Sequence, residues 1–310
     1  MDIRELRYFI AVAELRSFTK AGNQLRIAQP ALSRQVRKLE DELGVQLLQR
    51  LGRGIDLTDA GRQLLKKAYI VLDQIEDIKF SALAIGNRVS GLVTLGVTPA
   101  AGEVLVPPVL IKLSDTYSDI RIDVVEGFSG FLYERLLNHD LSIAILHNPV
   151  PHRDLKIAPL LIEDMYLIGP PQTRRGLVPP AQLDDISGVP LILPNQPHSL
   201  RVLVESQMAK HGLNVNVIRQ VDGLVVLRSM LRAALGYSIL TYGSIHRDVE
   251  AGILAVRKLD QPPINWRLCM VSHRNSNRQD AIDPVCKIIQ SEVDLLIDKG
   301  VWRGNTHVTH

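Results

Sequence analysis

Apolar residues recur at steps of four, three and four in the stretch that begins at Leu32. They are Leu32, Val36, Leu39 and Leu43. A helix turns by about 100° per residue, so this spacing places them on one stripe. Pro30 suits the first turn of a helix, where its missing N–H costs nothing, and the helix is predicted to begin near Gln29. The opposite face then presents hydroxyl and guanidinium groups outward.

A second, shorter helix is predicted just before it. Ser17 is a suitable N-cap for a helix through Ala21 to Leu25, and the small Ala21 and Gly22 allow another helix to approach closely. The pair fits a helix-turn-helix, although a solvated helical hairpin would show the same pattern. The apolar face of a still earlier helix supplies the core of a small domain. It consists of Leu6, Phe9, Ile10 and Ala13.

Two short strand-like pieces follow, at 45–49 and 55–57. The glycine-containing segment between them predicts a small hairpin, or wing, with Arg50 and Arg53 near its tip. Arginines at such a tip commonly contact backbone phosphate, which fixes register without reading sequence. A plain surface turn is the alternative.

A long amphipathic helix is predicted from the N-cap residues Thr58 and Asp59 to about Gly86. Its apolar positions alternate in steps of four and three, as in a heptad repeat. They are Leu57, Gly61, Leu64, Ala68, Val71, Ile75, Ile78, Ala82 and Ile85. Another helix must cover such a narrow stripe, and dimerisation supplies one; packing on the chain's own second domain is the alternative.

From residue 89 onward, strand-like and helix-like segments alternate, which predicts a mostly parallel sheet with covering helices. The pattern occurs twice and indicates two α/β lobes, while the last strand and helix are expected to return to the first lobe. The expected domains are 1–58 (winged helix-turn-helix), 59–88 (dimerisation helix) and 89–310 (a two-lobed module). Lobe I covers about 91–161 and 266–300, and lobe II about 162–265.

Ligands of such folds bind beyond the carboxyl ends of strands, near helix N-termini, where an anion is favoured. The candidate ligand residues at these strand ends are Thr98, Pro99, Ala100, Ser129, His147, Pro194, His198, Asp222 and Tyr242. Several of them also have an ordinary structural explanation, because Ser129 is a good N-cap and Thr98 with Pro99 ends a strand.

Charge is distributed unevenly along the chain. The formal net charge is only +3, yet the segment between Glu14 and Glu40 holds six basic residues and no acidic one. A surface this basic suits a polyphosphate partner.

Sequence motifs for catalysis and cofactor binding are missing. Gly236 to Leu240 lacks the final glycine of a nucleophile elbow, and no phosphate-binding loop or dinucleotide fingerprint is present. Cys269 and Cys286 are too few for a disulfide framework and lack metal-ligand spacing. No signal peptide or membrane span is apparent. We therefore expect no catalytic residues, cofactor or metal, and a cytoplasmic location.

Three stretches carry a family resemblance: LRYFIAVAELRSFTKAG, AQPALSRQVRKLEDELGVQLLQR and IDLTDAG. Their order and spacing resemble the LysR-type transcriptional regulators over nearly the whole chain. In the C-terminal half, SGFLYERLLNHDLSIAIL and LPNQPHSLR are similar to nitrogen-assimilation-control-like and aromatic-catabolism-like members. The resemblance implies a winged helix-turn-helix, a linker helix and an effector module similar to periplasmic binding proteins.

The resemblance also implies roles for individual residues. The DNA-binding set is Gln29, Pro30, Ser33 and Arg34 in the major groove, Ser17, Thr19, Arg50 and Arg53 at phosphates, with Arg37 and Lys38 beside them. The effector is expected to contact Thr98, Ser129 and Pro194.

The expected function is sequence-specific regulation of transcription, controlled by a small carboxylate or other anion bound between the lobes. Expected partners are double-stranded promoter DNA, the effector and further copies of the chain in a homodimer or homotetramer, with RNA polymerase as a candidate and no membrane. The expected location is the bacterial cytoplasm, in association with the nucleoid. The alternative is a small-molecule-binding protein or enzyme of periplasmic-binding-protein architecture, whose N-terminal segment only oligomerises.

Overall fold

The computed structural model describes residues 1–51, 54–83, 89–171, 181–182, 186–261, 263–264, 266–274, 276 and 279–306. These divide into two compact units, an N-terminal unit that ends at residue 85 and a larger unit that comprises nearly all of the remainder. None of the described helices is both long and apolar enough to cross a membrane.

The N-terminal unit begins with three helices: α1 (Ile3–Leu15), α2 (Phe18–Leu25) and α3 (Gln29–Leu43). The Ser17 hydroxyl caps α2 by accepting the Lys20 N–H, and α3 begins at Gln29, so both predicted helix starts are confirmed. The turn between them requires Gly22, because a Cβ there would lie 2.8 Å from the Ile27 carbonyl oxygen. The predicted apolar faces of α1 and α3 form the core, except that Leu43 at the end of the α3 stripe is exposed. Its buried members include Leu6, Phe9, Ile10, Ala13, Leu32, Val36 and Leu39.

The predicted wing is present as an antiparallel hairpin of β1 (Leu48–Leu51) and β2 (Gly54–Leu57). The first strand starts later than the sequence indicated, since Val45 is exposed and precedes it. Leu47 and Leu48 turn instead toward the core, and the Glu40 carboxylate holds both of their N–H groups. Arg53 lies outside the described residues.

The long helix α4 spans Asp59–Leu83; its expected end near Gly86 lies outside the described residues. Its apolar stripe is not exposed along its whole length. Leu64 and Ala68 pack on α1 and β2 within the unit's own core, whereas Val71 and Ile78 are 40% and 67% exposed. The expectation of one unpartnered seam was therefore wrong for its first half, because the small domain needs those residues to complete its core.

The larger unit contains a six-stranded sheet ordered β14-β6-β13-β5-β3-β4. Its strands are β3 (Gly91–Val97), β4 (Ile120–Glu126), β5 (Ile143–His147), β6 (Leu155–Glu163), β13 (Trp266–His273) and β14 (Gly304–Asn305). The covering helices are α5 (Pro99–Thr116), α6 (Ser129–Leu137) and α10 (Gln279–Asp298). The late strand β13 pairs with β5 and β6, so the predicted return of the chain to the first lobe is confirmed.

The second lobe contains a four-stranded sheet ordered β11-β7-β12-β8 and a parallel pair β9-β10. The strands are β7 (Met165–Gly169), β8 (Ala181–Gln182), β9 (Pro190–Leu193), β10 (Asn216–Gln220), β11 (Ser238–Thr241) and β12 (Ala255–Gln261). The helices are α7 (Ser199–Lys210), α8 (Leu224–Arg232) and α9 (His246–Glu250), with a 3-10 turn at Tyr242–Ser244.

Both main sheets are mixed rather than mostly parallel, which corrects the expectation. Strands β3, β4 and β5 are parallel, but β13 runs antiparallel to β5 and β6, and β7 runs antiparallel to β11 and β12. The sequence pattern did not reveal β6 or β12. Pro159 interrupts the pattern of β6 and sits at an irregularity in its pairing with β13, which is where a strand tolerates proline.

Helix α5 lies close to strand β3 at its first turn. Pro99 occupies its first turn, and Gly102 lies close to β3, where a Cβ would be 3.0 Å from the Val97 side chain. The glycine that makes this segment resemble a loop is therefore the residue that lets the helix approach the strand. As a result α5 begins directly after Thr98, at the carboxyl end of β3.

Candidate nucleic-acid interface and ligand cavity

The outward face of α3 carries the residues expected to read bases. Gln29, Pro30 and Arg34 are exposed and Ser33 is half-buried, since the helix packs through Leu32. Arg34 and the exposed Arg37 make no hydrogen bond or ion pair with the rest of the chain in the part that the structure describes. Two guanidinium groups are therefore available to a partner.

Lys38 is less available than its neighbours. Its ammonium donates to the Glu5 carboxylate at 2.8 Å, which joins α3 to the start of α1. Glu5 is 1% exposed and also forms a capping box with Asp2. The hydrogen bond from Lys38, with that from the Asp2 backbone, holds the pKa of Glu5 below its ordinary value. Lys38 thus has a structural role that the sequence pattern did not show.

Ser17, Thr19 and Arg50 are the described residues among those expected at phosphates, and Arg53 lies outside the described part of the chain. Thr19 is exposed on the first turn of α2, and the Ser17 oxygen accepts the Lys20 N–H at 3.3 Å, which leaves its O–H free to donate. Arg50 is in β1, paired with Ile55 across the hairpin. Backbone N–H groups and hydroxyls at such positions are typical phosphate donors.

A cavity in the larger unit lies beyond the carboxyl ends of its strands. Its volume is about 80 Å³, which is room for several water molecules or a small organic molecule. Eight of the nine candidate ligand residues line it: Thr98, Pro99, Ala100, Ser129, His147, Pro194, His198 and Asp222. The strand-end argument therefore assembled one site from both lobes.

Apolar side chains that sequence reasoning missed form much of its wall. The polar Ser199, Thr241 and Ser244 also line the cavity, and the apolar residues include Phe128, Met165, Leu200, Leu224, Leu227, Leu240 and Trp266. Nothing in a single sequence distinguishes these from core residues. None of the residues that line the cavity in the described part of the chain is a lysine or an arginine.

Polar donors in the cavity are nevertheless available. The Thr98 hydroxyl is buried and has no hydrogen-bond partner, and it sits directly before α5, whose first N–H groups lack a side-chain cap. Ser129 accepts the His147 backbone N–H at 3.1 Å, so its hydrogen remains free to donate. Nδ1 of His198 accepts the Leu200 N–H, which places the ring proton on Nε2. Burial lowers the pKa of His198, so the ring is neutral.

Tyr242 is not among the residues that line this cavity. It is 4% exposed and packs with its ring under the Arg303 guanidinium, 3.5 Å from the ring centroid, and next to Tyr166. Tyr242 was a candidate ligand residue because it directly follows β11, but the 3-10 turn that begins at Tyr242 directs the chain away from the cavity. Ser244 of the same turn lines the cavity instead.

An ion-pair network joins the two lobes beside the cavity. Arg228 of α8 donates to both oxygens of Glu103 on α5, at 2.6 and 2.7 Å, and to Asp248 of α9 at 3.1 Å. Arg232 holds the second Asp248 oxygen. Since α5 and α8 also contribute residues to the cavity wall, the network connects its two sides.

Cys269 is buried and Cys286 is half-buried. Burial raises the pKa of the Cys269 and Cys286 thiols to about 11, so both are protonated near neutral pH. In the described residues no group of three or more His, Cys, Asp or Glu side chains could hold a metal ion.

Comparison with known proteins matches both units. Residues 3–62 match the description "Bacterial regulatory helix-turn-helix protein, lysR family", and residues 86–294 match "LysR substrate binding domain". The chain is 33% identical to the HTH-type transcriptional regulator BbuR of Bordetella bronchiseptica, over 99% of this chain and 95% of that protein. It is 32% identical to the nitrogen assimilation regulatory protein Nac of Escherichia coli, over 98% and 99%. A structure of a full-length OxyR variant from Pseudomonas aeruginosa has a TM-score of 0.73 at 24% identity, covering 100% of this chain and 99% of that one.

Proposed function

Since this chain belongs to the LysR family of bacterial transcriptional regulators, we propose that α3 reads its promoter DNA and that a small carboxylate in the cavity controls it. The protein is a DNA-binding transcriptional regulator with an effector-binding module, and not an enzyme. The finer assignments rest on the two surfaces described above.

For DNA, the proposal is that Gln29, Pro30, Ser33 and Arg34 lie in the major groove, with Arg37 and Lys38 beside them. Ser17, Thr19, Arg50 and Arg53 then contact phosphates. The unpartnered guanidinium of Arg34 on the exposed face of α3 is the observation that supports this most strongly. A bidentate arginine contact to a guanine is worth about 1–3 kcal/mol of discrimination.

Changing Arg34 to Ala tests the base contact. Specific affinity for the promoter DNA beside its own gene should fall by about 5- to 150-fold, while binding to random DNA weakens much less. Arg4→Ala is the matched control, because Arg4 is an exposed arginine of α1 outside the proposed surface. An unchanged preference over random DNA in a salt-controlled gel shift would remove Arg34 from the proposal.

For the effector, the supporting observation is the buried, unpartnered Thr98 hydroxyl at the first turn of α5. A helix N-terminus favours an anion, and an unsatisfied buried donor favours a ligand that accepts from it. With Ser129 and His198 it offers neutral donors that suit a carboxylate, while the apolar wall suits the rest of a small organic acid.

A thermal-shift screen of small carboxylates against amines of equal size tests this class. A ligand that binds the native state at 100 times its Kd stabilises it by about 2.7 kcal/mol. The shift should disappear in Thr98→Val, which keeps the shape and removes the hydroxyl. A response to amines but not to acids would refute the carboxylate.

The remaining features belong to the same proposal. The exposed Val71 and Ile78 of α4 support dimerisation through the second half of that helix, and two α3 helices would then read a two-fold operator. A homodimer or a homotetramer, RNA polymerase as a candidate partner and a cytoplasmic, nucleoid-associated location are further parts of the proposal. We retain 1–58, 59–88 and 89–310 as the proposed functional domains.

A further inference from the structure

One side of the cavity contains a buried histidine–carboxylate pair. Nε2 of His147 lies 2.6 Å from Oε2 of Glu163, and the Trp302 indole N–H donates to the other Glu163 oxygen at 2.5 Å. The two side chains are only 6% and 2% exposed. Because an indole can only donate, Trp302 keeps that oxygen an acceptor. Nε2 is thus occupied by Glu163, and Nδ1 is the His147 nitrogen available to a ligand.

The charge of this pair depends on one proton. Without it, an ionised Glu163 and a neutral His147 carry a charge of −1, and Nδ1 can only accept a hydrogen bond. With it, the pair is neutral overall and Nδ1 of the imidazolium is a donor. Uptake of a single proton therefore removes a negative charge from the cavity and turns an acceptor into a donor.

The other groups that face His147 do not supply a positive charge. His198 is neutral, as its tautomer and its lowered pKa show. Asp222 stays ionised, because hydrogen bonds from Asn195 lower its pKa. The Trp266 ring and the Ser129 hydroxyl, which also contact His147, are uncharged. Without a proton on the pair, an entering anion is therefore repelled by the negative charges of Asp222 and of the pair. The described lining residues include no lysine or arginine that would offset this repulsion.

We propose that the effector carboxylate binds together with one proton, which the His147–Glu163 pair takes up while Nδ1 donates to the ligand. The inference rests on the proposed function, because it specifies the protonation state in which that cavity accepts an anion. Carboxylate binding then strengthens as the pH falls. By linkage, the bound carboxylate raises the proton affinity of the pair to the same extent.

The test measures the affinity of the full-length chain for a panel of acid and amide pairs by isothermal titration calorimetry between pH 5.5 and 8.5. The panel is acetate, isobutyrate, benzoate and phenylacetate, each with its amide. These acids stay ionised above about pH 5.5, as carboxyl groups titrate near pH 4. As the pH rises, Kd for an acid should rise by up to about tenfold per pH unit, whereas Kd for an amide should change less than twofold. Buffers of different ionisation enthalpy should report uptake of about one proton per acid bound at pH 8.

Variants locate the proton. Glu163→Gln removes the negative charge and keeps an acceptor for Trp302, so it should bind acids at pH 8.5 as tightly as the wild type does at pH 6 and lose the pH slope. Glu134→Gln, on the exposed side of α6, should keep the wild-type slope.

Three results would overturn the inference. Acid binding that is independent of pH in the wild type would leave the carboxylate proposal intact and remove the proton. A wild-type slope in Glu163→Gln would assign the proton to another group. If none of the four acids binds at any pH, the carboxylate effector fails and the coupled proton fails with it.

Discussion

Removal of the Arg228 guanidinium should weaken the connection between the two lobes of the effector module. Arg228→Met retains most of the aliphatic stem but removes the hydrogen bonds to Glu103 and Asp248. Asp248 keeps Arg232 as a partner, whereas Glu103 is left without the cation to which both of its oxygens bind. The lost interaction is therefore mainly the one between the lobes.

The burial of the partners sets the magnitude. Exposed ion pairs contribute about 0–1 kcal/mol, and breaking a fully buried pair costs about 3–5 kcal/mol. Arg228 is 13% exposed and Glu103 is 26% exposed, so the pair lies between these limits. We expect Arg228→Met to lower the free energy of unfolding of the larger unit by about 1.5–3 kcal/mol.

Urea unfolding followed by tryptophan fluorescence measures this selectively, because Trp266 and Trp302 are the chain's two tryptophans and both lie in the larger unit. A double-mutant cycle with Glu103→Gln isolates the pair, and the coupling should be about 1–2 kcal/mol. Arg247→Met, at an exposed arginine of α9, controls for loss of charge and should change stability by less than about 0.5 kcal/mol. A coupling energy indistinguishable from zero would refute the bridge.

Three further outcomes are expected. Gly61→Ala should destabilise the N-terminal unit by at least about 3 kcal/mol, since a Cβ would lie 2.0 Å from the Leu47 carbonyl oxygen, whereas Gly130→Ala meets nothing within 4 Å and should be neutral or stabilising in thermal unfolding. Because the pKa of Glu5 is lower in the folded state, its stabilisation is complete above its ordinary value of 4.5 and is lost as the pH falls below it; the protection factors of the α1 amides against hydrogen exchange should fall in acid, and Glu5→Gln should flatten that dependence. Peroxide should leave promoter binding unchanged in a gel shift, because the thiols of the buried Cys269 and the half-buried Cys286 are protonated near neutral pH; a reversible, thiol-dependent change would contradict this.

Local patterns were sufficient to predict where α2 and α3 begin. The start of α3 at Gln29 and the N-cap at Ser17 depend on neighbouring residues, so a single sequence contains the information. Whether a residue of the α4 stripe is buried does not depend on its sequence neighbours alone. The same heptad spacing serves an internal core around Ala68 and an exposed surface at Ile78, and only the folded unit shows where one ends.

The cavity shows the same division. Strand ends and helix starts can be placed from pattern, which is why eight candidates from both lobes meet. Strand direction is a tertiary property, so the antiparallel direction of β13 was not predicted. Strand β6 was not predicted at all, and its Glu163 was therefore missed as the partner of His147. Likewise, the 3-10 turn after β11 keeps Tyr242 out of the cavity lining, and the periodicity of the sequence does not predict that turn.

The hydrogen bond from Trp302 to Glu163 also affects the order in which the chain can mature during synthesis. The two residues are 139 positions apart, and β14, next to Trp302, pairs with β6. At ordinary elongation rates of about 5–20 residues per second, the ribosome needs roughly 7–30 s to add that length. Throughout this interval Glu163 is already part of the chain, but Trp302, which donates to it, has not yet been synthesised. The regulator should therefore acquire effector responsiveness only after Trp302 has been synthesised, whereas its DNA-binding unit is complete long before.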